Sequence, residues 1–226
     1  MMKLIAIYYT DHYFQYRETL FKDKLFELGF DDVHSYTGNW LRTTSFYEEN
    51  KMILDSRPAA GYCLWKPYII LDAFNKIEDG DVLCYFDAGD DIKNGIVEGV
   101  RNYMSSNDYS FSTWKGRKTN GVFTKRDCFI LMDCDNDKYY NATHIEAGTI
   151  ALKKTVFNID LVNDWLFYCK NPKIITKEPS VLGDELDEFK IHYYDQSILS
   201  NIIKMNELTP TNFLPQYIRY NYHGPK

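Results

Sequence analysis

Three carboxylates fall within five residues at Asp87-Ala88-Gly89-Asp90-Asp91. Directly ahead of them runs Val82-Leu83-Cys84-Tyr85-Phe86, a continuous apolar segment of the kind that forms a central strand covered on both faces. So apolar a strand cannot house the acids inside the sheet, and they must project from its end. Carboxylate oxygens placed there suit Mg²⁺ or Mn²⁺, which in turn neutralises a diphosphate, and Gly89 leaves room for backbone to approach a ligand. An acidic turn capping the next helix would use the same residues, and the DxxDD spacing alone does not separate the two.

Other side chains have the right chemistry for a site around these acids. Lys66 stands beside Pro67 at a helix start, a point charge suited to phosphate, although a lysine there is ordinarily just solvated. Trp65 reads as core. Glu146 precedes Ala147-Gly148, whose small side chains leave it room, and it could equally be a surface carboxylate at a strand start. Asp195 precedes an apolar helix pattern, where an N-cap is worth about 1 kcal/mol. Lys115, Arg117 and Lys118 surround Gly116 in a basic stretch that continues at Lys125 and Arg126; it could touch an anionic acceptor or a diphosphate, or be a solvated turn.

The elements that must position these groups alternate along the chain. Leu4 to Tyr9 reads as a buried strand, and Phe14 to Leu28 as a helix that stops at Gly29. A short strand (Val33 to Tyr36), a helix (Phe46 to Leu54) and a third helix with Pro67 in its first turn follow. Beyond the acidic cluster come a helix (Ile96 to Met104), a strand (Tyr109 to Trp114) and a short helix from Arg126. A strand from Ile145 to Leu152, a strongly amphipathic helix from Val156 to Tyr168 and a final helix from Gln196 to Met205 complete the order. Strands alternating with helices predict an α/β fold, a mainly parallel sheet flanked by helices, with ligands beyond the carboxyl ends of the strands.

Composition narrows the function classes. At 226 residues the chain suits a single domain, and 45% hydrophobic with 26% charged residues is ordinary for a globular protein. A formal net charge of −6 offers nucleic acid no sequence-wide attraction. Leu4 to Tyr9 is too short for a signal-peptide core, and no run reaches the roughly 18 apolar residues of a spanning helix. The expectation is a cytoplasmic protein whose only route to a membrane is peripheral. Five cysteines without a CxxC pair, most of them among apolar neighbours as small buried hydrophobes are, indicate neither a disulfide framework nor a zinc site. Aromatic residues reach 16%, with 19 tyrosines, which serves either a low-leucine core or the covering of sugar faces.

Gly61-Tyr62-Cys63-Leu64-Trp65-Lys66-Pro67-Tyr68 followed by Gly80-Asp81-Val82-Leu83-Cys84-Tyr85-Phe86-Asp87-Ala88-Gly89 resembles the small GT-A-type glycosyltransferases of bacterial surface-polysaccharide loci and large DNA viruses. Thr124-Lys125-Arg126-Asp127, Glu146-Ala147-Gly148 and Tyr194-Asp195-Gln196-Ser197-Ile198-Leu199-Ser200 fit the same pattern, so the resemblance runs from about residue 61 to 203. It implies a GT-A-like fold over residues 1–226, with a nucleotide-sugar-binding half to about residue 115 and an acceptor and catalytic half after it. It also implies a nucleotide-sugar donor, UDP-sugar by default, a glycan or lipid-linked acceptor, and Mn²⁺ or Mg²⁺ at a DxD-like site.

By the same resemblance, donor contacts fall to Lys66, Asp87, Ala88, Gly89, Gly148 and Gln196. Metal contacts fall to Asp87, Asp90 and His223, with His192 a further histidine candidate. Catalysis falls to Glu146, on the donor sugar, and Asp195, facing the acceptor hydroxyl. The strict DxD spacing is absent, because Gly89 stands two residues after Asp87, and Glu146 replaces the family's Asn-like residue. Two other classes compete. A Mg²⁺-dependent phosphohydrolase also places Asp at a strand end but wants a second Asp where Gly89 stands, and a non-catalytic sugar- or nucleotide-binding protein would bind without cleaving.

Overall fold

Alternation along the strands sorts the core into two layers. In β1 (Leu4–Thr10), Leu4, Ala6 and Tyr8 face one way and Ile5, Ile7 and Tyr9 the other, and all are buried. The same alternation in β3 (Val82–Phe86) puts Val82, Cys84 and Phe86 on the first face and Leu83 and Tyr85 on the second. The computed structural model describes residues 2–113 and 118–220.

β2 (Asp32–Thr37), β4 (Tyr109–Thr113) and β5 (Ile145–Lys153) complete a five-stranded sheet of order β2-β1-β3-β5-β4. β1 pairs in parallel with β2 and β3, whereas β5 runs antiparallel to both its neighbours, β3 and β4. Four strands thus share one direction and β5 opposes them. The first face packs on α1 (Glu18–Glu27), which stops before Gly29 at φ +95°, and on α4 (Ile96–Met104). The second face carries α2 (Ser45–Leu54), α3 (Trp65–Phe74), α5 (Arg126–Leu131), α6 (Val156–Cys169) and α7 (Tyr194–Met205). This is the helix-covered, mainly parallel α/β sheet that the sequence predicts.

Several details depart from the sequence reading. α3 begins at Trp65, earlier than Pro67 itself, and keeps Pro67 in its first turn as the sequence reading had it. In α6, Val156, Phe157 and Phe167 stay exposed, so its apolar residues are not confined to one stripe. α7 begins at Tyr194 and takes in Asp195, so Tyr193 and not Asp195 holds the cap position. Trp114, Lys115, Gly116, Arg117 and His223 lie outside the described residues. No helix among the described residues is long and apolar enough to cross a membrane.

Candidate functional site

Period-two alternation continues past the end of β3. Asp87 follows Tyr85 by two residues and falls on the face covered by α3 and α7, where its Oδ1 accepts a 2.5 Å hydrogen bond from the Tyr85 hydroxyl. The Asp87 side chain is 48% exposed. Burial, and next the Asp87 carboxylate, push the Tyr85 phenol well above its usual range, so it stays a donor.

Lys66, from the first turn of α3, reaches the same place from below. Its ammonium is 3.1 Å from Asp195 Oδ2 and 3.8 Å from Asp87 Oδ1, and it donates to the Ala147 carbonyl at 3.0 Å. It also lies 5.0 Å from the centre of the Tyr85 ring. The Lys66 and Asp195 side chains are each only 4% exposed. Burial alone would lower the lysine pKa, but Asp195 and Asp87 outweigh it and hold Lys66 above the ordinary lysine range. Burial raises the Asp195 carboxyl to about 6, with Lys66 opposing the rise and Asp87 adding to it.

The irregular start of β5 closes the cluster. Ser112 pairs with Glu146 while its neighbour Phe111 pairs with Ile150, so Ala147, Gly148 and Thr149 bulge away from β4. Their backbone groups go to the site: Ala147 N–H donates to Gln196 Oε1 at 2.9 Å, and the Gly148 carbonyl accepts from Asp87 N–H at 2.9 Å. A Cβ on Gly148 would lie 2.9 Å from Asp87 Oδ2 and 3.9 Å from Glu146 Oε1. Asp87 and Glu146 therefore stand close above Gly148, and any side chain there would crowd the Asp87 carboxylate first.

The sequence candidates thus divide by place. Lys66, Asp87, Glu146, Gly148, Asp195 and Gln196 come together from four distant stretches of chain. Gln196 is tied to β5 through its side-chain oxygen, and Asp195 is tied to the core by its own carbonyl, which accepts from Trp165 Nε1 at 3.0 Å. Ala88 and Asp90 are buried. Gly89 makes room for protein: a Cβ there would lie 3.3 Å from the Phe14 ring, and Arg17 donates to the Gly89 carbonyl at 2.6 Å. His192 is buried against the Lys125 amide, and burial lowers its pKa to about 3. No group of three His, Cys, Asp or Glu side chains able to hold a metal occurs among the described residues.

A second feature adjoins the cluster and was not read from the sequence. A cavity of 610 Å³ opens at the carboxyl ends of β1 and β2, lined among others by Tyr9, Thr10, Asp11, Arg42 and Arg57. Ile7 pairs with Tyr85, so β1 leaves the sheet level with Asp87, and the Tyr9 ring stacks on Trp65 at 3.9 Å. Its far wall includes Ala60, in a run from Ala59 to Cys63 where every φ is positive, between 46° and 92°. Four of these five residues carry a Cβ, and each such residue costs about 1–2 kcal/mol in that conformation. The one signal in sequence was Gly61, whose Cβ would lie 2.6 Å from Leu54 Cα.

No protein-family model matches the chain, and no curated protein matches it by sequence. Among solved structures it is similar to unliganded WbbM, described as a bifunctional glycosyltransferase, with a TM-score of 0.51 and 10% identity over 93% of this chain. The chain spans 39% of the length of that protein. Mouse xyloside xylosyltransferase 1 aligns with TM-score 0.45 and 13% identity, covering 92% of this chain and 83% of that one. A glycosyltransferase involved in glycosylation of the major capsid of PBCV-1 aligns at 0.42 and 10%, covering 84% and 82%. The fold is of the GT-A type, mixed and mainly parallel, as the sequence resemblance implied.

Proposed function

We propose that the chain is a glycosyltransferase that moves a sugar from a nucleotide-diphosphate sugar, UDP-sugar first, to a glycan or lipid-linked acceptor. The observation that carries this reading is the pairing of a half-exposed carboxylate, Asp87, with a cavity at the carboxyl ends of the adjoining parallel strands. The nucleotide lies in that cavity, in the half of the chain before residue 115, and the donor sugar lies over Gly148. The acceptor approaches from the side built by residues after 116.

Asp87 suits a divalent metal as a hard oxygen ligand that is open on one side, and Gly148 keeps the space beside its Oδ2 clear. Mn²⁺ or Mg²⁺ held there would neutralise the departing nucleotide diphosphate. Asp90 and His223 remain the further ligands that the resemblance implies. Lys66 acts from behind: its charge and the Tyr85 hydroxyl fix which way the Asp87 carboxylate points. Asp195, buried to the same degree as Lys66, positions that lysine, so it serves the reaction without touching the acceptor. Gln196 sets the bulge that carries Gly148, and Glu146 meets hydroxyls of the donor sugar.

The test is nucleotide release from UDP-, GDP- and dTDP-sugars with Mn²⁺ or with EDTA, comparing wild type with Asp87→Ala. Metal-dependent release from one donor, lost in the variant, is expected. Silence across the panel together with no nucleotide binding would return the chain to the phosphohydrolase or the simple binding protein.

A further inference from the structure

We propose that Arg57 is the protein cation that receives the donor diphosphate in the cavity beyond β1 and β2, an assignment that rests on the proposed function. As the glycosidic bond breaks, the nucleoside diphosphate goes from about two negative charges in the donor to about three on release, more than one divalent metal would cancel, so a further cation with a free face favours its departure. Lys66 cannot supply it, because its ammonium is buried behind Asp87 and already divided between two carboxylates and a carbonyl. Arg42 lines the cavity too, but its guanidinium is committed to the Tyr47 hydroxyl and, at 3.1 Å, to Asp55.

Arg57 also lines the cavity, is exposed, and has no side-chain hydrogen bond or ion pair among the described residues. Its planar guanidinium can grip two phosphate oxygens at once, which an ammonium cannot. Two further observations point to a ligand here. Thr10, 1% exposed and lining the same cavity, has a hydroxyl that finds no partner among the described residues, and buried polar atoms seldom go unpaired without reason. The backbone just past Arg57 is held in the left-handed run Ala59–Cys63, pinned by Gly61 against Leu54 and by the Tyr62 amide donating to the Pro58 carbonyl at 2.7 Å. Strain of this kind persists where the surrounding fold over-determines it, and it gathers at ligand sites.

Calorimetry of wild type, Arg57→Ala and Arg57→Lys with UDP, GDP and dTDP, each beside its free nucleoside, tests the assignment. For the nucleotide that wild type binds, Arg57→Ala should weaken diphosphate binding about 10- to 100-fold while leaving the nucleoside within twofold. Arg57→Lys should recover only part of the loss, and the salt dependence of diphosphate binding should flatten in Arg57→Ala. Arg57 is exposed, so the variants should fold, and circular dichroism checks this. Diphosphate binding that survives Arg57→Ala unchanged, or falls in parallel with nucleoside binding, would overturn the role of Arg57 and leave the proposed function standing. Wild type that binds none of the six compounds would remove both.

Discussion

Replacing Lys66 with methionine removes a buried charge but keeps an unbranched side chain of similar length, so the perturbation is electrostatic first. In wild type the Asp195 carboxyl titrates near 6, with Lys66 holding it down against burial. Without the ammonium the largest influence opposing burial is gone while Asp87 still adds to the rise, so its pKa moves further up. The sign follows from linkage. A carboxyl whose folded pKa exceeds its unfolded value of about 4 makes the folded state bind the extra proton, so stability falls as pH rises between the two values. Wild type stops losing stability from this group near pH 6, whereas Lys66→Met goes on losing it above that pH. At about 1.36 kcal/mol for each pH unit over which the folded state keeps its extra proton, the penalty of Lys66→Met should be larger at pH 8 than at pH 6, by up to about 2.7 kcal/mol. Urea unfolding of both proteins at pH 6, 7 and 8 measures it, and Lys66→Met/Asp195→Leu should lose the pH dependence. A penalty that is flat across this range would refute the buried pair as the coupling between these residues.

Asp87→Asn keeps an acceptor for the Tyr85 hydroxyl, so unfolding free energy should stay within about 1 kcal/mol of wild type while metal-dependent donor turnover falls at least about 100-fold. Gly148→Ala puts a methyl 2.9 Å from Asp87 Oδ2 and should cut turnover at least about tenfold, read by steady-state kinetics beside thermal melting that stays near wild type. In the pH profile of kcat, wild type should lose activity below about pH 6 as Asp195 takes its proton and releases Lys66; Asp195→Asn should lack that limb and be slow throughout. Gly61→Ala should cost at least about 3 kcal/mol in urea unfolding, because its new Cβ meets Leu54 backbone at 2.6 Å and φ is +92°.

The carboxyl end of β3 was legible because an unbroken apolar pentapeptide followed by three acids leaves the acids nowhere else to go. The helix from Ile96 to Met104 and the stop at Gly29 were legible for equally local reasons, periodicity and a residue that tolerates positive φ. Asp195 misled in part: an acid ahead of an apolar helix looks like a cap, and only the fold reveals that it lies within the first turn and faces Lys66. That pairing joins residues far apart in the chain, and neither side chain alone signals burial. Gly89 taught the same lesson from the other side, since the space it leaves belongs to Phe14. The cavity lay beyond reach because it is built by residues around Thr10, Thr37 and Arg57 whose types are unremarkable until the strands stand side by side.

The position of β5 bears on how the chain must be made. A ribosome delivers β3 with its β1 side ready to pair, but the strand that covers its other edge emerges only after β4 and the segment up to Ile145. Until then Val82–Phe86, five apolar residues without a gatekeeping charge inside the strand, presents an open ladder to any neighbour. A nascent chain arrested before residue 145 should therefore self-associate, and slow synthesis of this stretch should lower the soluble yield. The two halves implied by the sequence share one sheet, with β5 from the later half seated between β3 and β4 from the earlier one, so neither can be excised without unzipping the other.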